Sequence, residues 1–238
     1  MKRETIKYGY DGNPIRMIVS ILVLILIESI LYGIQGKLFH TIANILLPFV
    51  ILGLVICIRM TLYVKFGKFR QRDDILSKVN WNGNEMVLDI GTGRGLLMIG
   101  AAKRLSEGKS IGIDIWRQED MANNCMEKTM QNVRLEGVTE KVEVKSEDIR
   151  KTSFGSNTFD VVLSNLCIHN IAARMDREDA CREIHRILKQ GGKAVIGDLF
   201  FRIKEYSEVF KALGMSVEKY KGKSVGGIQI PIVVAIKK

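Results

Sequence analysis

The stretch LDIGTGRGLL, Leu88–Leu97, sets three glycines within five residues directly behind a short apolar run. Glycine lacks a Cβ, so such a turn lets backbone approach a ligand closely, and the N–H groups that open a following helix attract an anionic group. The run before it, Met86–Ile90, reads as a strand, and Gly95–Leu105 after it reads as a helix. Strand, glycine turn and helix in that order form the ligand-binding corner of a doubly wound α/β sheet. A tight connection that carries no ligand is the alternative reading.

The pattern continues downstream. Further strand-like runs fall at Ser110–Ile115, Lys141–Ser146, Phe159–Ser164 and Lys193–Leu199, separated mostly by helical patterns at Met121–Leu135 and Asp176–Leu188. Alternation of this kind predicts a mainly parallel sheet with helices on both faces. After a helix around Glu205–Leu213, SVEKYKG and GGIQIPIVVAIKK read as two strands joined by a short Gly/Lys turn, a hairpin ending the sheet. Pro231 supplies no ladder donor, so a bulge or a delayed strand start is expected there.

Upstream, Ile15–Ile34 and Thr41–Val64 are apolar and long enough to cross a bilayer, at roughly 30 Å or more each. The first is too long for a signal peptide, lacks a small-residue cleavage site, and is followed directly by the second. Lys2, Arg3, Lys7 and Arg16 precede the pair; Arg59, Lys65, Lys68, Arg70 and Arg72 end it; the loop between offers only Lys37. The positive-inside rule therefore puts both termini on the cytoplasmic side. Glu28 lies about one helical turn from the outer loop, where it reaches toward Lys37 or His40 or sits protonated, a substrate role being the other reading. Pro48 is expected to kink the second span. The connector that follows contains a short helix at Arg70–Val79. This divides the chain into a tail and two-helix transmembrane hairpin at 1–68 and an α/β domain at 69–238.

The net charge of +10 divides about equally between residues 1–75 and the rest. It suits anionic lipid, and without Lys/Arg runs interleaved with aromatics no nucleic-acid partner is expected. The four cysteines, Cys57, Cys125, Cys167 and Cys181, share no C-x-x-C spacing, so neither a metal site nor a disulfide framework is expected.

The glycines follow G-x-G-x-G, one residue shorter than the dinucleotide fingerprint. Asp89, two residues ahead, discourages a pyrophosphate and suits an ammonium group. Asp114 ends the second strand, placed for both ribose hydroxyls, and Asp148 follows the third, placed for an exocyclic adenine amine. The set describes an adenosine carrying an amino acid.

VLDIGTGRG, IGIDIW, SEDI, FDVVLSNLCIHNI and EIHRILKQGGKAVIGD together resemble, in order and rough spacing, the motifs of class I S-adenosylmethionine-dependent methyltransferases, over about Val79–Lys238. The closest likeness is to the group that includes ubiquinone/menaquinone C-methyltransferases and arsenite methyltransferases. The resemblance implies a Rossmann-like seven-stranded sheet with an antiparallel last strand. It implies that Gly91, Thr92, Gly93 and Gly95 line the methionine and ribose part of S-adenosylmethionine, with Asp89 near its amino group. Asp114 would hold the ribose diol, Ile115 and Trp116 would flank the adenine, and Asp148 and Ile149 would read its edge. Ser164, Asn165 and Leu166 would border the methyl group and the acceptor. Lys189-Gln190-Gly191 stands where Lys-Pro-Gly is common, and the cysteines of arsenite chemistry have no counterpart.

Methyl transfer from a sulfonium is mainly a matter of alignment, with a base needed for an O–H or C–H acceptor. His169, Asp198 and Asn165 are the candidates near the methyl, and His169 has a positioning role as its alternative. The expectation is a methyltransferase on the cytoplasmic face of the cell membrane, acting on a small lipophilic acceptor such as a quinone, isoprenoid or lipid headgroup. The hairpin would touch the bilayer and offer a surface for homo-oligomers. The rival readings are a tethered cofactor-binding protein without turnover, a methyltransferase of soluble acceptors merely localised by the hairpin, and an NAD oxidoreductase.

Overall fold

A computed structural model describes residues 6, 8, 14–34, 36–121, 123–223 and 228–238. The chain runs α1 (Pro14–Gly33), α2 (Lys37–Leu62), a π-helical turn (Tyr63–Gly67), α3 (Lys68–Leu76), β1 (Met86–Ile90), α4 (Leu96–Ala102), β2 (Lys109–Asp114) and α5 (Met126–Leu135). It continues through β3 (Val142–Ser146), β4 (Phe159–Asn165), α6 (Arg174–Ile187), β5 (Leu188–Gly197), α7 (Phe200–Ala212), β6 (Ser216–Tyr220) and β7 (Ile232–Ile236).

The seven strands form one sheet in the order β3-β2-β1-β4-β5-β7-β6. β7 runs antiparallel to both neighbours, and the other pairings are parallel. The chain winds outward from β1 through β2 to β3, then restarts at β4 beside β1. The switch point, with its crevice, therefore lies at the carboxyl ends of β1 and β4.

Period-2 alternation explains both faces. Leu88, Ile90 and Val162 point into a core closed by Ile184 of α6 and Tyr206 and Phe210 of α7. Val87, Val161, Leu163 and Val195 point the other way, against Ile75 and Leu76 of α3 and Leu97 of α4.

Several elements differ from the sequence reading. The helix expected from Met121 starts at Met126, because Asn124 turns its side-chain amide onto the Asp114 carboxylate at 3.2 Å and holds the preceding residues in the site wall. Strand β5 begins earlier than expected, with Leu188 paired to Phe159 across a register shift. β6 ends at Tyr220, the Gly/Lys turn expected after it lies partly outside the described residues, and β7 starts directly after Pro231, the delayed start expected there.

The connector is not a separate helix. α2 passes through the π turn into α3 as one helical rod, Lys37–Leu76, with the Tyr63 ring packed against Gly67. Among the described residues this rod is the one helix long and apolar enough to cross a membrane; α1 contributes a shorter apolar segment, Val19–Gly33. α1 and α2 lie side by side, with Ile21 against Gly53 and the Tyr32 hydroxyl donating to Asn44 Oδ1 at 2.5 Å. α2 continues through Pro48. Large apolar side chains such as Leu22, Leu26, Ile45 and Phe49 are left exposed along the pair.

Glu28 reaches neither Lys37 nor His40. It is buried on α1, and neither carboxyl oxygen has a hydrogen-bond partner. A buried unpartnered polar group costs about 1–3 kcal/mol. Glu28→Leu is therefore expected to stabilise the chain by a similar amount, read as a higher unfolding midpoint in detergent; an unchanged or lower midpoint would count against it.

Candidate active site

A cavity of about 590 Å³ opens at the carboxyl ends of β1, β2 and β4, within the usual range for small-ligand sites. Gly91, Asp114 and Asn165 line it, with Met121, Asn124, Glu147–Arg150 and His169–Ala172.

The glycine turn is held by its own hydrogen bonds. Gly91 N–H and Thr92 N–H donate to the Ile113 carbonyl at 2.9 and 3.0 Å, and Gly93 N–H donates to Asp114 Oδ2 at 2.8 Å. Gly91 is also where a Cβ would overlap Cys167 Sγ, so this glycine makes room for the turn after β4.

One of the N–H groups expected free at the start of α4 is already taken: Asp89 Oδ2 accepts from Met98 N–H at 2.9 Å and from the Thr92 hydroxyl at 2.8 Å, so the chain's own carboxyl group sits at the helix N-terminus. Asp89, Gly91 and Thr92 line a smaller cavity of about 60 Å³ together with Tyr8, Lys68 and Asn165. Gly93 and Gly95 line neither cavity; they shape the turn.

Burial pushes the Asp89 carboxyl up to about 7. Folding thus favours its protonated form. That contribution is fully present below the ordinary carboxylate range and is lost as pH rises through about 7. Compared with Asp89→Asn, the wild-type chain is expected to lose thermal stability as pH rises from about 4 to about 7. Parallel pH dependences of the two unfolding midpoints would refute this.

Asp114 gathers three hydrogen bonds at the cavity. Its Oδ1 accepts from Trp116 N–H at 2.7 Å and from Asn124 Nδ2 at 3.2 Å, while Oδ2 receives Gly93. Ile115 lines the cavity mouth, half exposed. Trp116 does not line the cavity, because its indole N–H is drawn to Ser146 Oγ at 2.7 Å. Asp148 lines the far wall beside the buried Ile149. The Arg150 guanidinium grips Asp148, at 2.6 Å from Nη2, and holds its carboxyl below the usual range.

Past β4 the predicted residues part company. Ser164 is fully buried and donates to the Ile90 carbonyl at 3.2 Å, so it stays inside the sheet rather than bordering the cavity. Asn165 lines both cavities, and its buried Oδ1 has no hydrogen-bond partner. Leu166 adopts φ 51°, a left-handed conformation that costs a branched side chain energy and marks a constrained corner.

His169 and Asp198 come together there. His169 Nδ1 lies 2.6 Å from Asp198 Oδ1, and its backbone N–H donates to Oδ2 at 3.1 Å. The fully buried Asp198 also accepts from Leu199 N–H at 2.8 Å and the Tyr206 hydroxyl at 3.1 Å. Asp198 does not line the cavity, so it is a positioning group and not the second base the sequence suggested. With Nδ1 committed as donor to the carboxylate, Nε2 of His169 is the nitrogen left to accept a proton.

Sequence reasoning missed Asn124, whose buried Oδ1 is a second unpartnered acceptor in the cavity wall. It sits in an apparent helix, and nothing in its neighbours' pattern sets it apart. Tyr206 was missed too, since it reads as an ordinary core position of α7.

The residues fit an adenosyl amino acid. Asn124, Asn165 and Asp114 present acceptors, which suit the hydroxyls and ammonium of such a molecule and not a phosphate.

Comparison with known proteins agrees. Residues 88–196 match the family model described as methyltransferase domain. Demethylmenaquinone methyltransferase of Bacteroides fragilis is 35% identical over 115 residues, covering 48% of this chain and 43% of that one. The ubiquinone/menaquinone biosynthesis C-methyltransferase of Geotalea daltonii is 26% identical over 122 residues, covering 51% and 48%. The chain thus spans less than half the length of these relatives. A SAM dependent methyltransferase from Aquifex aeolicus shares the fold with a TM-score of 0.57 at 19% identity, over 71% of this chain and 91% of that one. Residues 88–196 thus match a methyltransferase domain, on a sheet that has the fold of that solved methyltransferase.

Proposed function

We propose that the whole chain is a membrane-anchored enzyme that methylates a small lipophilic acceptor of the quinone type at the cytoplasmic face of the bilayer. The observation that carries this reading is His169, fixed by Asp198 on the wall of the cofactor cavity. Two of the similar proteins are named as a demethylmenaquinone methyltransferase and a ubiquinone/menaquinone biosynthesis C-methyltransferase, which supports a quinone-type acceptor. The exposed apolar surface of the α1–α2 pair, with Lys and Arg concentrated at its domain end, supports anchoring in that orientation.

S-adenosylmethionine supplies an electrophilic methyl group. The chain does the rest. Asp114 and Asn124 would hold hydroxyls on the adenosine side, and Asn165 would accept a donor at the amino-acid side. As the methyl passes from the sulfonium to a ring carbon or hydroxyl of the acceptor, leaving a neutral thioether, His169 Nε2 would take the proton the acceptor releases, and Asp198 would stabilise the resulting imidazolium.

The test is incubation of membranes bearing this chain with radiolabelled S-adenosylmethionine, followed by separation into lipid-extractable, water-soluble and protein fractions. Label in lipid-extractable small molecules is expected. Label confined to the protein or water-soluble fraction would overturn the reading.

A further inference from the structure

The domain has an uneven surface. Seven large apolar side chains stand exposed within 69–238 among the described residues, and five of them, Ile115, Met175, Leu199, Phe200 and Phe201, follow the carboxyl ends of β2, β4 and β5. Phe200 and Met175 are 79% and 77% exposed, and the other two exposed side chains, Leu135 and Tyr220, reach only 38% each. The apolar surface is therefore gathered on the edge where the cofactor cavity opens, with Ile115 on its lip.

The helical rod leaves the domain from the same edge. Lys68, at the start of α3, lines the small cavity with Gly91 and Asn165, and Gln71 Nε2 lies beside Gly197 and reaches the Ile230 carbonyl at 3.4 Å. α3 then runs back along the sheet to the start of β1, so its unbroken continuation into α2 projects outward past the carboxyl ends of the strands. At the junction Lys65 and Phe66 are both exposed. Near the apolar edge, the Arg202 guanidinium lies 4.9 Å over the Phe201 ring while pairing with Glu205 at 2.9 Å, and Lys204 is exposed one turn into α7. Exposed aromatics flanked by basic side chains match the chemistry of an anionic lipid surface, apolar below and negatively charged at the headgroups.

We propose that this edge is a second membrane contact: the Phe200–Phe201 corner inserts into the headgroup layer of an anionic bilayer and turns the cavity mouth toward the lipid. A lipophilic acceptor then passes from bilayer to His169 without crossing water. This rests on the membrane-anchored reading above and adds to it the face that meets the lipid.

The experiment uses the full chain with Phe200→Trp in vesicles of phosphatidylcholine and phosphatidylglycerol, with and without brominated acyl chains. The added tryptophan emission is expected to be quenched by brominated lipid beyond any loss in the wild type, and shielded from aqueous iodide. Quenching by iodide and none by brominated lipid would overturn the proposal, as would a shift in oligomeric state caused by Phe200→Asp without any lipid quenching. In parallel, Phe200→Asp/Phe201→Asp is expected to lower turnover of a long-chain quinol embedded in the vesicles by about tenfold or more. Its affinity for S-adenosylmethionine and its turnover of a short-chain soluble quinol are expected to stay at wild-type levels. Failures separate cleanly. If the wild type does not sediment with vesicles, or methylates neither quinol, the parent reading falls. If it does both and the tryptophan remains in water, only the second contact falls.

Discussion

Replacing His169 by glutamine is expected to leave S-adenosylmethionine bound at near wild-type affinity while methyl transfer falls by about 10²–10⁴-fold, the usual contribution of a general base. The imidazole is held from both ends of Asp198: Nδ1 at 2.6 Å from Oδ1, and the residue's own N–H at 3.1 Å from Oδ2. Glutamine keeps polarity and rough size but takes no proton at neutral pH. Calorimetric titration of the cofactor beside single-turnover methylation separates the two quantities. A rate within a few fold of wild type would remove His169 from the chemistry. Asp198→Asn is the companion variant. It keeps the side chain's shape but loses the charge that stabilises a protonated imidazole, so the rate should fall while cofactor affinity holds. Because Asp198 also receives Leu199 and Tyr206, its unfolding midpoint must be measured alongside.

Gly91→Ala is expected to be strongly damaging to the cavity lining. Gly91 has φ 67°, in the left-handed region, and an added Cβ would overlap Cys167 Sγ and lie 2.6 Å from Cys167 Cβ. The conformation costs an L-residue about 1–2 kcal/mol, and forcing a packed neighbour aside costs about 1–3 kcal/mol more. The turn after β4, which carries Asn165 and His169, would have to move, so cofactor affinity and turnover should fall with stability. Gly191 supplies the control. Its φ of 75° is similar, yet nothing lies within 4 Å of an added Cβ, so Gly191→Ala should cost only the backbone term. Comparable losses of unfolding midpoint in the two variants would show that the contact with Cys167 does not matter. Cys167→Gly added to Gly91→Ala should restore part of the loss, since it removes the collision and leaves the φ strain.

Much of this molecule is written locally. Strand and helix periodicity placed most elements within a few residues. The short glycine spacing and the acidic residues at Asp89, Asp114 and Asp148 indicated an adenosyl amino acid because each lies at or near the carboxyl end of a strand. Pro231 marked the delayed start of β7. The helix expected from Met121 failed because Asn124 answers to Asp114 across the site and not to its own neighbours.

Asp114 and Asp198 show where local reading stops. Both close an apolar strand, and nothing in their flanking residues tells them apart. In the fold one lies on the cavity wall and the other is fully buried behind His169. Asp89 looked like a ligand's partner, yet it caps α4 with its own chain, because the turn folds its carboxylate onto Met98 N–H. Likewise, the sequence supplies two apolar helices and a glycine-turn domain, but not the direction in which one leaves the other. The sequence by itself determined the sheet, its cofactor corner and the chemistry of the residues around it, since these follow from spacing along the chain. The tertiary structure alone decided which carboxylate lines the cavity, which histidine nitrogen is left by Asp198 and which edge the helical rod departs from. Those depend on contacts between residues far apart in sequence, which only packing brings together.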